Sequence, residues 1–164
     1  MKRIFLCAAF AASFALPALA CEGIHIVDPY ARASTAMSQS GAAFMRIINH
    51  GEIDRRVIGA RSDVAQRVEL HTHIEDAAGV MRMVEVEEGF LIPAEGEHLL
   101  ARGGDHLMFL GLTQPLAHGD EITVTLVFEE GDDLEIIMPV DLERMPAHGH
   151  SHGHSHGDSH GHAH

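Results

Sequence analysis

Apolar and polar residues alternate along most of the middle of the chain. In "EITVTLVFEE", Ile122, Val124, Leu126 and Phe128 fall on one side and Thr123 and Thr125 on the other, the period-two pattern of a strand buried on one face. Nine further runs have strand length and composition. They are "IHIVDPYAR" (Ile24–Arg32), "AAFMRIIN" (Ala42–Asn49), "RRVIGARS" (Arg55–Ser62), "AQRVELHTHIE" (Ala65–Glu75), "GVMRMVEV" (Gly79–Val86), "GFLIPA" (Gly89–Ala94), "HLLARG" (His98–Gly103), "HLMFLGL" (His106–Leu112) and "LEIIMPV" (Leu134–Val140). Turn-forming clusters such as "NHGEID", "ARGGD" and "EEGDD" separate them. With no sustained 3.6-residue period, the pattern predicts an all-β antiparallel sandwich or barrel.

The two ends break this pattern. "MKRIFLCAAFAASFALPALA" places two cations before an apolar run from Ile4 to Leu16, then Pro17 and the small-residue site Ala18-Leu19-Ala20. This is the anatomy of a cleavable export signal, and it is too short for a comfortable membrane span. From Pro146 onward the chain is His, Gly and Ser with almost nothing to bury, so it is expected to remain disordered. Three parts follow: a signal peptide over 1–20, a folded domain over 21–145 and a His-rich tail over 146–164. The expected location is the periplasm. Cleavage leaves Cys21 at the new N-terminus, where a lipoprotein signal would also put one, although such signals favour Leu where this chain has Ala18. A soluble exported protein is therefore expected, with membrane attachment only if Cys21 is lipidated.

Charge narrows the partners. Loss of Lys2 and Arg3 takes the formal charge from −13 to −15 and leaves no lysine. Nucleic acid and anionic lipid are poor partners for such a surface, and cations are good ones. Cys7 leaves with the signal, so the mature chain has a single thiol and cannot form an internal disulfide.

The candidate chemistry lies on three of the strands. His106 and Met108 are two residues apart, hence on one side of their strand. In "VELHTH", Val68, Leu70 and Thr72 share one face, so His71 and His73 project from the other, beside Glu69. "GVMRM" puts Met81 and Met83 together. Thioether sulfur is soft and uncharged and needs no deprotonation, so a mixed imidazole and thioether set suits Cu(I). Zinc more often recruits thiolate, imidazole or carboxylate. A blue-copper electron-transfer centre needs a cysteine within the fold, and Cys21 is at the extreme end. No nucleophile motif of the GxSxG kind is present. "HTH" is a weak echo of copper–zinc superoxide dismutases, which usually carry a disulfide this chain cannot form. No enzymatic activity is expected.

The stretch from Val68 to Glu129, and more widely from "DPYARAS" to Val140, resembles the periplasmic copper chaperones of the PCu(A)C family. Their signature is a His, a Met about a dozen residues on, and a His-x-Met pair about two dozen beyond. Carried over, these are His71, Met83, His106 and Met108. The hairpin between His71 and Met83 is one residue longer than the family pattern, which makes Met81 a substitute candidate. His73 stands where a carboxylate or small polar residue is common, which makes it an additional one. The resemblance implies a cupredoxin-like, Greek-key β-sandwich with an exposed Cu(I) site. It also implies delivery towards the copper-bearing subunit of cytochrome c oxidase or another copper-assembly protein.

The tail adds eight histidines in seventeen residues: His148, His150, His152, His154, His156, His160, His162 and His164. Neutral imidazoles bind Cu(II), nickel or zinc, and the tail is expected to hold Cu(II) beside the folded Cu(I) site. The competing reading is a general zinc and copper scavenging or storage protein in which the tail is the main binder. His25, His50, His98 and His118 fall at strand edges or turns and are expected on the surface. Arg32 is expected to pin the first strand through an ion pair.

Overall fold

A computed structural model describes residues 23–35 and 37–145. The signal peptide, Cys21 and the tail histidines lie outside the described residues. Each of the ten runs forms a strand: β1 (Ile24–Ala33), β2 (Ser40–Asn49), β3 (Arg55–Arg61), β4 (Ala65–Glu75), β5 (Met81–Glu85), β6 (Phe90–Ile92), β7 (Glu97–Leu100), β8 (His106–Leu112), β9 (Glu121–Phe128) and β10 (Leu134–Pro139). There is no helix among the described residues.

All ten strands belong to one antiparallel sheet with the path β1-β2-β8-β4-β3-β9-β10; β5 extends from β4, β6 from β3 and β7 from β2. The pairings of β2 with β8 and of β3 with β9 join strands far apart in sequence, so the chain crosses over between halves. The sheet curls until its ends meet. Ala31 of β1 bridges Val140 just past β10, and the Asp141 amide donates to the Ala31 carbonyl at 2.8 Å. This nearly closed β-sandwich leaves little free edge for another chain to pair with.

Alternation decides which side chains fill the interior. Ile122, Val124, Leu126 and Phe128 of β9 are all buried, and they pack with Val57, Leu70, Leu107, Phe109, Ile47 and Met138 in one continuous core. On β8, Leu107 and Phe109 enter that core, so His106 and Met108 must point away from it.

The end of β2 is fixed by a buried polar clamp. Asn49, 1% exposed, donates through Nδ2 to the carbonyls of Ile53 (2.7 Å), Pro93 (3.1 Å) and Ile92 (3.3 Å), while its Oδ1 accepts from the Gly51 amide at 2.9 Å. Replacing it strands several buried backbone groups at once. Asn49→Ala is expected to lower the unfolding free energy by about 2–3 kcal/mol, read from urea denaturation.

Candidate metal centre

The site is assembled by strand register. β4 pairs with β8 so that His71 stands opposite His106 and Glu69 opposite Met108. β5 pairs with the other edge of β4 so that Met83 stands opposite His73 and Met81 opposite Glu75. Directly opposed residues project to the same face. The histidines of β4, the methionines of β5 and the His-x-Met pair of β8 therefore share the outer face of the sheet.

His106 is at the centre. It is 3% exposed and, with Asn49, is one of two buried polar residues among those described. Phe44 (6.1 Å between ring centres), His71 (5.9 Å) and His73 (5.1 Å, stacked) surround it. Its Nδ1–H donates to the Gly104 carbonyl at 2.9 Å. That carbonyl is positioned by the tight turn after β7, where Gly103 adopts φ 88° and the Gly104 amide donates to Ala101 at 3.0 Å. With Nδ1 committed, the neutral ring carries its lone pair on Nε2.

This lone pair faces sulfur. His106 Nε2 lies 3.3 Å from Met83 Sδ. Two acceptors in contact have no reason to attract each other, but a soft cation gives them one. Nitrogen and sulfur bound to one first-row ion at about 2.0 and about 2.3 Å stand about 3.5 Å apart at a tetrahedral angle. A histidine whose second nitrogen donates to a carbonyl is also the usual arrangement of a metal ligand.

His71 has the complementary arrangement. Its Nε2 lies 2.9 Å from Glu69 Oε2, and the other oxygen of Glu69 pairs with Arg67 Nη1 at 2.6 Å. Its Nδ1 is buried and without a partner, an orphan that a metal ion would satisfy. Glu69, which the sequence places beside His71, thus fixes the tautomer of that ring.

A half-open cleft of about 260 Å³ exposes the remaining donors. Met83, His106, Met108 and His73 line it with Phe44, Arg32 and Arg102. His71 sits next to His106 but outside the lining, whereas His73 is within it. Met81 is 54% exposed and does not reach the cleft; Met83, at 44%, does. Among the described residues no three His, Cys, Asp or Glu side chains are arranged to hold a metal; the donors gathered in the cleft mix imidazole with thioether sulfur.

Comparison with known proteins places this architecture. The family described as "Putative lipoprotein LpqE-like" matches residues 24–140. "Putative lipoprotein Lxx21020" of Leifsonia xyli subsp. xyli is 36% identical over 129 residues, covering 79% of this chain and 76% of its own length. The chain belongs to the LpqE-like (PCuAC) family. Two solved structures share the fold. The copper-bound PCuAC domain from PmoF2 is 24% identical with a TM-score of 0.60, covering 73% of this chain and 92% of that one. The solution structure of CuI-DR1885 from Deinococcus radiodurans is 27% identical with a TM-score of 0.56, covering 75% and 83%.

Two expectations change within this PCuAC domain, the surface placement of His98 and the ion pair of Arg32. His98 is not a free surface residue. Its ring stacks on Phe90 at 4.9 Å, and its two nitrogens lie 3.0 Å from the Leu91 carbonyl and 2.8 Å from Asp105 Oδ2, which braces the turn just before His106. Arg32 forms no ion pair among the described residues; its Nη1 donates to the Arg144 carbonyl at 3.2 Å. Neither was legible: Arg144 is 112 residues from Arg32, and Leu91 and Asp105, each seven residues from His98, reach it only through the way the chain turns between β6 and β8.

Burial holds the His106 pKa below the usual histidine value, with the nearby His73 and His71 acting the same way against the opposing Gly104 hydrogen bond. The unfolded chain protonates this ring near ~6.5 while the folded PCuAC domain resists until lower pH. The contribution of this ring to stability is therefore fully present above about 6.5 and lost as pH falls towards the folded pKa. Thermal unfolding of the metal-free protein is expected to show this slope, and His106→Gln to show a shallower one.

Proposed function

We propose that this chain is an exported copper chaperone. It binds Cu(I) as cargo through His71, Met83, His106 and Met108 and passes it to a copper-bearing acceptor. The observation that carries this reading is the His106 Nε2 to Met83 Sδ approach of 3.3 Å, with Met108 in the same cleft. The 27% identical Cu(I)-loaded DR1885 supports it. The buried Nδ1 of His71 supplies the fourth donor, and His73 is an additional candidate.

The geometry suits delivery as much as binding. All four donors are neutral, so the ion is held without a fixed negative charge that would trap it. Half-exposed Met83 and the open cleft let an acceptor's ligand approach before the last bond to the chaperone is lost. The acceptor assigned is the dinuclear copper centre of cytochrome c oxidase, or another copper-assembly protein. Met1–Ala20 directs export to the periplasm, and Cys21 is the point where a lipid would attach. The histidines from His148 to His164 bind Cu(II) in this reading.

Chelator competition on the metal-loaded mature protein tests the folded site. The Met83→Leu, Met108→Leu double variant is expected to lose more than about 100-fold in Cu(I) affinity, beyond the 10–100-fold typical of losing a supporting partner. Zinc affinity should change little. If Cu(I) binding survives this substitution, the protein is better described as a general metal scavenger. Truncation before Pro146 is expected to lower Cu(II) stoichiometry while leaving one Cu(I) per chain, as read by titration and X-ray absorption.

A further inference from the structure

The arginines of this acidic chain are distributed unevenly. Nine lie among the described residues, with no lysine. Six have a carboxylate at ion-pair distance: Arg46 with Glu97, Arg56 with Glu129, Arg61 with Asp133, Arg67 with Glu69, Arg82 with Asp76 and Arg144 with Asp28. Arg55 lies over the Phe128 ring and donates to the Glu130 carbonyl. Among the described residues Arg32 and Arg102 have neither a carboxylate at ion-pair distance nor an aromatic face.

These two are neighbours. Each donates one Nη1–H to the same acceptor, the Arg144 carbonyl, at 3.2 and 3.4 Å. Arg144 is itself a cation; it stacks over Tyr30 at 4.2 Å and takes up the nearby Asp28 carboxylate, so only its carbonyl oxygen, and no negative charge, faces the pair. Two like charges held side by side repel each other, in a protein with acids to spare. Both also line the cleft that contains His73, Met83, His106 and Met108, with the Ser34 and Ser40 residues beside them. Each guanidinium has five N–H donors in a fixed fork, and a single hydrogen bond leaves most of that fork open.

We propose that Arg32 and Arg102 form a carboxylate-binding subsite in the wall of the metal cleft. A planar carboxylate matches the guanidinium fork in a way that a spherical ion does not. It also offsets the two positive charges, a need that grows when a cation occupies the neutral donor set beside them. The subsite stands on the unpaired arginines; its bearing on metal exchange rests on the copper reading. The carboxylate has two sources, a small free acid or an acidic side chain of the protein that exchanges metal with this one.

The test is made without metal, so that its failure counts against the subsite and leaves the copper reading to chelator competition. Malonate is titrated into the metal-free mature protein at constant ionic strength, with chloride as the control, and followed by NMR. Saturable shifts are expected at the Arg32 and Arg102 side-chain N–H groups and at the Ser34 and Gly103 amides. Arg102→Gln and Arg32→Gln should each weaken binding at least about tenfold, and the double variant should abolish it. Arg102→Gln is the safer variant for folding, because its bond to Arg144 is the longer and more exposed. Arg102→Lys should bind more weakly than wild type, having lost the fork but not the charge. The same shifts with chloride, or unchanged malonate binding in the double variant, overturn the proposal. With acetyl-Glu-Gly-Glu-amide as a second probe, tighter binding than malonate identifies a partner's side chain as the source, and weaker binding a free acid. Either ranking upholds the subsite.

Discussion

The site depends on the register of β4 against β8. With Leu70 opposite Leu107, both side chains enter the core, and the next pair along, His71 and His106, faces outward together. A slip of one residue would send the imidazoles into the core and the leucines to the surface. Burial of Leu70, Leu107 and Phe109 therefore sets the register, and the ligand geometry follows from it. The apolar half of each strand holds the polar half in place.

A second layer of constraint adjusts the donors. The Gly104 carbonyl and the Glu69 carboxylate each engage one nitrogen of a histidine, which leaves a lone pair on the other. Phe44 and the neighbouring rings keep His106 from water. His98 and Asp105 tie down the turn that presents the carbonyl. The chain carries a net charge of −13, yet no carboxylate lines the cleft. The donors in its lining are soft and neutral, and the charges there without an ion-pair partner among the described residues are positive.

The strands were legible because alternation is a direct image of a sheet with one buried face. All ten runs read from the sequence are strands, and the outward direction of His71, His73, His106 and Met108 followed from parity alone. The choice between Met81 and Met83 was not legible. Both lie on the same face of β5, and only its pairing with β4 puts Met83 opposite His73 and leaves Met81 opposite Glu75 at the far end. The partners of Arg32 and His98 are fixed by turns and register, which residue types do not encode locally.

The sequence by itself determined the strand faces and the soft donor chemistry, because both are properties of residue type and of a two-residue period. Tertiary structure decided which donors meet, which nitrogen of each histidine is free, and that two arginines without carboxylates share the cleft. Those are distances between residues brought together by pairing of remote strands, and no short stretch of chain contains them.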